Sequence, residues 1–276
     1  MSKQSLIDTY DCSEYLDAKW GVMRRFGVSE TAFEDWVIDR LDPSPAAVVL
    51  DVGAGSGRFT LPIARRLRGS GRIEAVDLSR GVMATLMEAA ARESLPIQVT
   101  VADIEDRPFP KRRYDLIVAG HMLYHLRQPV PTLERLREAL APGGQFVATT
   151  NARDGMPEFY ALYCETLGLL EVPVPRPEPD ATEFTSENGA ALLGQVFDDV
   201  RAEQYDGGFL APQGVAVLTY FASTQLYRGL MRDDTVPIEV RARIAPTYAA
   251  LAQRAVDAAG GQLRISKPMT AFFCRA

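Results

Sequence analysis

Residues 46–60 read AAVVLDVGAGSGRFT, an apolar and β-branched run that passes through Asp51 into Gly53-Ala54-Gly55-Ser56-Gly57 and then into a helical pattern. The run is short and nearly continuous, as a strand buried on both faces requires. Glycine at three of the five loop positions lets backbone approach a ligand closely, and the N-terminus of the next helix offers N–H groups that have no partner within it. A dinucleotide loop spelled G-x-G-x-x-G would need glycine at position 58, where Arg58 stands. A P-loop would need Gly-Lys-Ser/Thr after its glycines, and this chain has Gly57-Arg58-Phe59. The loop therefore suits a small ligand, and it departs from both nucleotide patterns.

Outward from this stretch, strand and helix patterns alternate. FTLPIARRLRG (59–69) reads as a helix, IEAVDLS (73–79) as a strand, 80–93 as a helix, IQVTVADI (97–104) and DLIVAG (115–120) as strands, 131–140 as a helix, and QFVATTN (145–151) as a strand. That spacing is the signature of βαβ units around a buried parallel sheet, a doubly wound α/β core. Before it, 14–41 has helical spacing and stops at DPSP (42–45). After it come a helix near 157–170, the Pro-rich VPVPRPEPD (172–180), a short helix at 187–197 and a strand near 199–206. Helices follow at about 212–230 and 238–259, then two short strands that a turn at Lys267-Pro268 would join as a hairpin. Two of these later strands bring the expected sheet to seven. The expected division is an N-terminal helical lid over 1–45, a ligand-binding core over 46–154, and substrate-side helical insertions with the last sheet strands over 155–276.

Carboxylates end three successive strand units: Asp51, Asp77 and Asp103. Asp77 lies twenty residues past Gly57, the usual device for gripping vicinal ribose hydroxyls. One such Asp is as readily a helix cap. Three beside a glycine loop point to a ligand.

VVLDVGAGSGRFT, IEAVDLSRGVM, VADIEDRPFP, YDLIVAGHMLYHL and LREALAPGGQFVATT, in that order from about 46 to 151, make the chain resemble the class I S-adenosylmethionine-dependent methyltransferases. The resemblance implies a Rossmann-like, mostly parallel seven-stranded sheet. It also implies that Asp51 with Gly53, Ala54, Gly55 and Gly57 holds the methionine part of S-adenosylmethionine. Asp77 would hold the ribose hydroxyls, Leu78 would lie against adenine, and Asp103 would accept from the adenine amine beside the Ile104 backbone. Gly120 would flank the donor methyl.

In open α/β sheets ligands bind beyond the carboxyl ends of the strands, which directs attention to Gly120-His121-Met122-Leu123-Tyr124-His125 and Thr150-Asn151. His121 and His125 are the only histidines and stand four apart. HMLYH lacks the glutamate of H-E-x-x-H, and no third ligand is apparent, so no metal is expected. Imidazole suits proton removal near neutral pH, which makes His121 and His125 the candidate bases. Structural roles as a cap or in backbone hydrogen bonding compete with that reading. NPPY or DPPY, seen after the fourth strand in methyltransferases of exocyclic base amines, is absent.

Composition bounds the rest. The chain has 276 residues, a net charge of −6 and 47% apolar side chains, an ordinary globular balance. Segments 1–45, 46–154 and 155–276 carry net charges of −4, +3 and −5; none is a nucleic-acid footprint. Lys111-Arg112-Arg113 reads as a solvated turn. Cys12, Cys164 and Cys274 are odd in number and far apart, and the start lacks an apolar leader, so a reducing cytoplasm is expected. Gly207–Tyr227 runs 21 residues without a charge, yet its prolines and polar residues suit a helix started by Pro212 better than a membrane span.

The N-terminal helices, with Tyr10, Tyr15, Lys19 and Trp20, and the helical insertions at 155–197 and 208–260 are expected to form a lid. Their aromatics, including Phe159, Tyr160, Tyr163, Phe209, Tyr220, Phe221 and Tyr227, are candidates to line an apolar pocket, most of them being expected in the core. The expectation is methyl transfer to oxygen or nitrogen of a small metabolite, without nucleic-acid or membrane partners, by a monomer or homodimer. Twenty-six arginines against four lysines hint at a GC-rich genome and bacterial specialised metabolism. Competing readings are a tRNA or rRNA methyltransferase, a cofactor-dependent pericyclase, and a noncatalytic S-adenosylmethionine-binding homologue.

Overall fold

The computed structural model describes residues 13–67, 70–174 and 182–275. Tyr10 and most of the Pro-rich stretch at 172–180 lie outside them. Helices α1 (Ser13–Phe26) and α2 (Phe33–Leu41) precede β1 (Val48–Val52), α3 (Thr60–Leu67), β2 (Arg72–Asp77), α4 (Arg80–Arg92), β3 (Ile97–Val101) and β4 (Tyr114–Gly120). A 3-10 turn at Leu123–His125 leads to α5 (Pro129–Ala139), β5 (Leu140–Asn151), α6 (Pro157–Leu169), α7 (Gly189–Leu193) and β6 (Asp199–Tyr205). The remaining elements are β7 (Gly208–Ala211), α8 (Gly214–Ala222), α9 (Gln225–Arg232), α10 (Ile238–Ala258), β8 (Leu263–Ser266) and β9 (Met269–Arg275).

Seven strands form one sheet in the order β3-β2-β1-β4-β5-β9-β6. β1 to β5 are parallel, and β9 runs antiparallel between β5 and β6. The sequence reading of a mostly parallel seven-stranded α/β sheet is what folds. Alternation divides β1 between two layers. Leu50 and Val52 join the core beneath α5 and α7, with Ile117, Leu133, Phe146 and Phe197. Val49 joins Phe33, Ile38, Ile63 and Phe273 on the side of α2 and α3. Each such side chain contributes about 1.5–3 kcal/mol by leaving water, which fixes the register wherever both faces are covered.

A third apolar cluster sits apart from both layers. It joins Val22 of α1 to Phe159, Tyr163, Phe209, Phe221 and Tyr248. Phe159, Tyr163, Phe209, Tyr220 and Phe221 are its interior, core as expected of most of the flanking aromatics, whereas Tyr160 remains 48% exposed. Phe221 and Tyr248 stack with ring centroids 4.1 Å apart.

The expected hairpin at Lys267-Pro268 does not form. β8 pairs with β7 in a small second sheet, while β9 pairs with β5 and β6 in the large one. β6–β7 and β8–β9 instead make one antiparallel ribbon, creased where Gly207 lies opposite Lys267. The Lys267 N–H donates to the Gly207 carbonyl at 2.9 Å. Proline at 268 offers no N–H to continue either ladder. The uncharged stretch 207–227 divides into β7, α8 and the start of α9. Among the described residues no helix is long and apolar enough to cross a membrane.

Candidate active site

The chain runs from β1 outward to β3 and then returns to β4, so a crevice opens between the β1 and β4 loops at the carboxyl edge. A cleft of about 250 Å³ occupies it.

On the β1 side, Gly53 and Gly55 take φ of 69° and 55°, left-handed values that glycine adopts at little cost. Gly53 and Ala54 donate to the Val76 carbonyl at 2.8 and 3.1 Å, tying the loop to β2. Gly53, Ala54 and Gly55 line the cleft. Gly57 does not appear in its wall; its missing side chain makes room for Leu86 and Leu61, so that glycine serves helix packing.

Asp51 is 1% exposed and faces α3, where the Thr60 hydroxyl donates to its Oδ2 at 2.6 Å. Burial, with a smaller contribution from Asp77, raises its pKa to about 7 against the Thr60 bond. Asp77 accepts from the Gly55 N–H and the Ser79 N–H, both at 2.9 Å, so it shapes the loop as well as facing the cleft. Burial raises its pKa as well. Two carboxylate oxygens offer about four acceptor positions, which leaves capacity for a ligand. Asp103 Oδ1 accepts from the Glu105 N–H at 2.9 Å. Leu78, Asp103 and Ile104 complete this end of the cleft.

On the β4 side, Gly120 lies so close to Phe59 that a Cβ there would sit 2.5 Å from the ring. His121 follows with φ of 54°, and its N–H donates to the Thr149 carbonyl and hydroxyl, both at 3.1 Å. Its ring packs 5.6 Å from that of Phe33, and its Nε2 is buried with no hydrogen-bond partner. Burial, then the charges of Lys267, Arg58 and Lys19, hold its pKa well below the ordinary histidine value. Asn151, at the end of β5, also lines the cleft with a buried side-chain oxygen lacking a hydrogen bond. His125 borders the cleft and packs edge-on against Tyr124; burial lowers its pKa to about 4.

Three cations stand in the wall; Lys19 belongs to the expected N-terminal lid, while Arg58 and Lys267 were not singled out from sequence as cleft residues. Lys19 and Trp20 come from α1, Arg58 from the end of the glycine loop, and Lys267 from the ribbon crease. The Arg58 guanidinium lies 3.2 Å from the Trp20 ring centroid and pairs with Glu34. Burial lowers Arg58 to about 9 and, aided by Arg58 and Arg228, Lys19 to about 8; burial pushes Lys267 well below the lysine range. Lys19 and Arg58 had visible neighbours in Trp20 and the loop. Nothing local marks Lys267, which only the folding of a distant ribbon delivers. No group of three or more His, Cys, Asp or Glu side chains is placed to hold a metal among the described residues.

This fold, with a glycine loop and strand-end carboxylates around one cleft, defines a class, and residues 49–144 match the family model described as a methyltransferase domain. Residues 49–144 thus carry a methyltransferase domain of the class I S-adenosylmethionine-dependent type, and methyltransferases stand among the relatives of the chain. Among its relatives is the aklanonic acid methyltransferase DauC of Streptomyces sp. (strain C5), 29% identical over 54% of this chain and 71% of that one. A tRNA U34 carboxymethyltransferase of Marinobacter nauticus is also 29% identical, over 55% of this chain and 43% of that one. The chain spans about half the length of most curated relatives that it matches. Among solved structures the (4+2)-cyclase SpnF shares the fold, with a TM-score of 0.58 and 15% identity over 99% of this chain and 96% of that one.

Proposed function

We propose that the protein binds S-adenosylmethionine in this cleft and moves its methyl group to an oxygen or nitrogen of a small metabolite. The observation that carries the reading is the pairing of two walls. Glycine-bared backbone and the carboxylates of Asp51, Asp77 and Asp103 face, across the crevice, the unpartnered polar atoms of His121 and Asn151. Buried polar atoms without partners are costly, and two of them bordering one cleft suit a ligand that supplies the missing bonds.

Bound S-adenosylmethionine supplies a methyl group on a positively charged sulfur, open to in-line displacement. The chain's own residues then have three tasks. Asp51 and the Gly53–Gly55 loop orient the amino-acid end, and Asp77 with Asp103 holds the adenosine end. His121, neutral because of its burial, accepts at Nε2 the proton of an attacking hydroxyl, or that of an ammonium before its freed lone pair attacks; an amine that arrives uncharged needs no such step. Trp20 and Lys19 of α1 roof the cleft and exclude water, which strengthens the electrostatics inside.

The relatives named as tRNA enzymes offer a second reading. The acidic net charge and the roofed cleft favour a small molecule, because a polynucleotide needs a basic track along an open surface. The likeness to a cyclase at 15% identity speaks only of fold. Calorimetry with S-adenosylmethionine and S-adenosylhomocysteine, followed by mass detection of a 14-dalton gain (one CH₂, from the chemistry of methyl for hydrogen) in small-molecule pools and in tRNA, separates these readings. Binding with a methylated small molecule is expected. A gain in tRNA alone overturns the substrate class, and absence of binding overturns the whole reading.

A further inference from the structure

Two of the chain's four lysines, Lys19 and Lys267, meet in the cleft. Lys267 is 7% exposed, and its backbone is fixed on both sides. Its N–H donates to Gly207, and the carbonyl of Pro268 accepts from the Ala152 N–H at 3.2 Å. Neither ammonium has a carboxylate or hydrogen-bond acceptor among the described residues. Each instead approaches the Trp20 indole, Lys19 Nζ at 5.6 Å and Lys267 Nζ at 5.5 Å from its centroid. Arg58 stacks on the same indole but has Glu34 as its counter-ion.

A cation–π contact contributes about 0.5–2 kcal/mol, less than the several kcal/mol that burying an ammonium costs. Two lysines held together near a third cation repel one another, and a rigid crease denies Lys267 an escape to water. Such a cluster is a feature a fold keeps for an anion. The acidic side chains of the wall come from β1, β2 and the loop after β3, and His121 lies within reach of the charges of Lys267, Arg58 and Lys19.

We propose that the methyl acceptor carries a carboxylate or comparably compact oxyanion, held between Lys19 and Lys267 beneath Trp20, and that this contact selects acidic acceptors over neutral ones. The proposal rests on the methyltransferase reading. It places the acceptor's reactive oxygen or nitrogen toward His121 and makes the two lysines determinants of specificity. The cofactor's own amino-acid carboxylate is a second source of the same anionic chemistry.

The test uses the full chain saturated with S-adenosylhomocysteine, so that the cofactor's carboxylate is already in place, and titrates benzoate, with benzyl alcohol as its neutral counterpart. Benzoate is expected to bind at least about tenfold more tightly than the alcohol. Lys267→Met and Lys19→Met are expected to weaken benzoate by about tenfold or more, the scale of a charged hydrogen bond, while leaving S-adenosylhomocysteine affinity unchanged. Lys267→Met is also expected to raise the melting temperature of the free protein, since it removes a buried charge with no acidic partner among the described residues; Lys267→Arg keeps the charge and is expected to keep benzoate binding.

Equal binding of benzoate and benzyl alcohol overturns the proposal. So does a Lys267→Met protein that loses affinity for S-adenosylhomocysteine but not for 5′-methylthioadenosine, which lacks the amino-acid carboxylate; the cations would then serve the cofactor. If S-adenosylhomocysteine binds and benzoate does not, the methyltransferase reading stands and this one falls. If neither binds, both fall.

Discussion

Asp51 is a carboxyl group near the end of a buried strand, and its environment turns it into a reporter of ligand charge. With its pKa raised to about 7 by burial, it holds its proton in the free protein at slightly acid pH. A cationic ligand favours the carboxylate, so binding of S-adenosylmethionine near pH 6.5, about half a unit below the shifted value, is expected to release protons. Calorimetry in phosphate and Tris, whose ionisation heats differ, reads that release; identical heats would refute it. The sign for folding is separate: the raised pKa means the folded state binds the extra proton between 3.8 and about 7, and this contribution is lost as pH rises through 7. Asp77→Ala removes a charged acceptor and is expected to weaken cofactor binding by about 1.5–3 kcal/mol, measured by the same titration. The three carboxylates were legible in the sequence because each ends a strand next to a local motif. Lys267 was not, since its place depends on a contact with Gly207, sixty residues earlier.

Between elements, the most consequential polar contact joins β2, β4 and the loop after β3. Glu74, 7% exposed, accepts from the Tyr114 hydroxyl at 2.7 Å and pairs with Arg107. Burial alone would raise its pKa, but these two partners outweigh burial and hold it below the ordinary glutamate value. A depressed carboxylate contributes stability above the unfolded pKa of about 4.3, and that contribution disappears as pH falls through the folded value. Tyr114→Phe is therefore expected to lose about 1.5–3 kcal/mol in urea denaturation at neutral pH. The deficit should shrink as acid protonates Glu74; a deficit independent of pH would assign the loss to packing. The order of strands and helices was readable from periodicity, because parallel strands carry unbroken apolar runs. The crease was not: LRIS and MTAFFCR look like the two arms of a hairpin, and only the facing Gly207-Gly208 corner shows why they part into different sheets.

Across the whole molecule, two bodies of apolar packing meet at the cleft: the layered sheet, and the cluster built from α1, α6, α8, α10, β7 and β8. α1 is the hinge between their surfaces, since Val22 belongs to the second cluster while Trp20 covers the glycine loop through Arg58. The chain has two tryptophans, and Trp36 sits away from the cleft, between Phe33 and Tyr205. S-adenosylhomocysteine is thus expected to change the fluorescence of Trp36→Phe protein and to leave that of Trp20→Phe protein nearly unchanged. The opposite pattern would place the ligand elsewhere. Sequence reading assigned the flanking helices to the substrate side and expected most of their aromatics to be core, as Phe159, Phe209 and Phe221 are; it did not show which body buries them, because periodicity marks a buried face without naming its partner.

The position of β9 between β5 and β6 has a consequence for how the chain is made. Among the described strands β6 pairs only with β9, and the partners are 64 to 76 residues apart. At about 5–20 residues per second of synthesis, β6 spends several seconds on the ribosome as a strand with nothing to lie against. Asp199, Arg201 and Glu203 alternate along it, and charges on a waiting strand discourage pairing with a neighbouring nascent chain. The same residues that look merely decorative at the rim of the finished sheet are the ones that guard its birth.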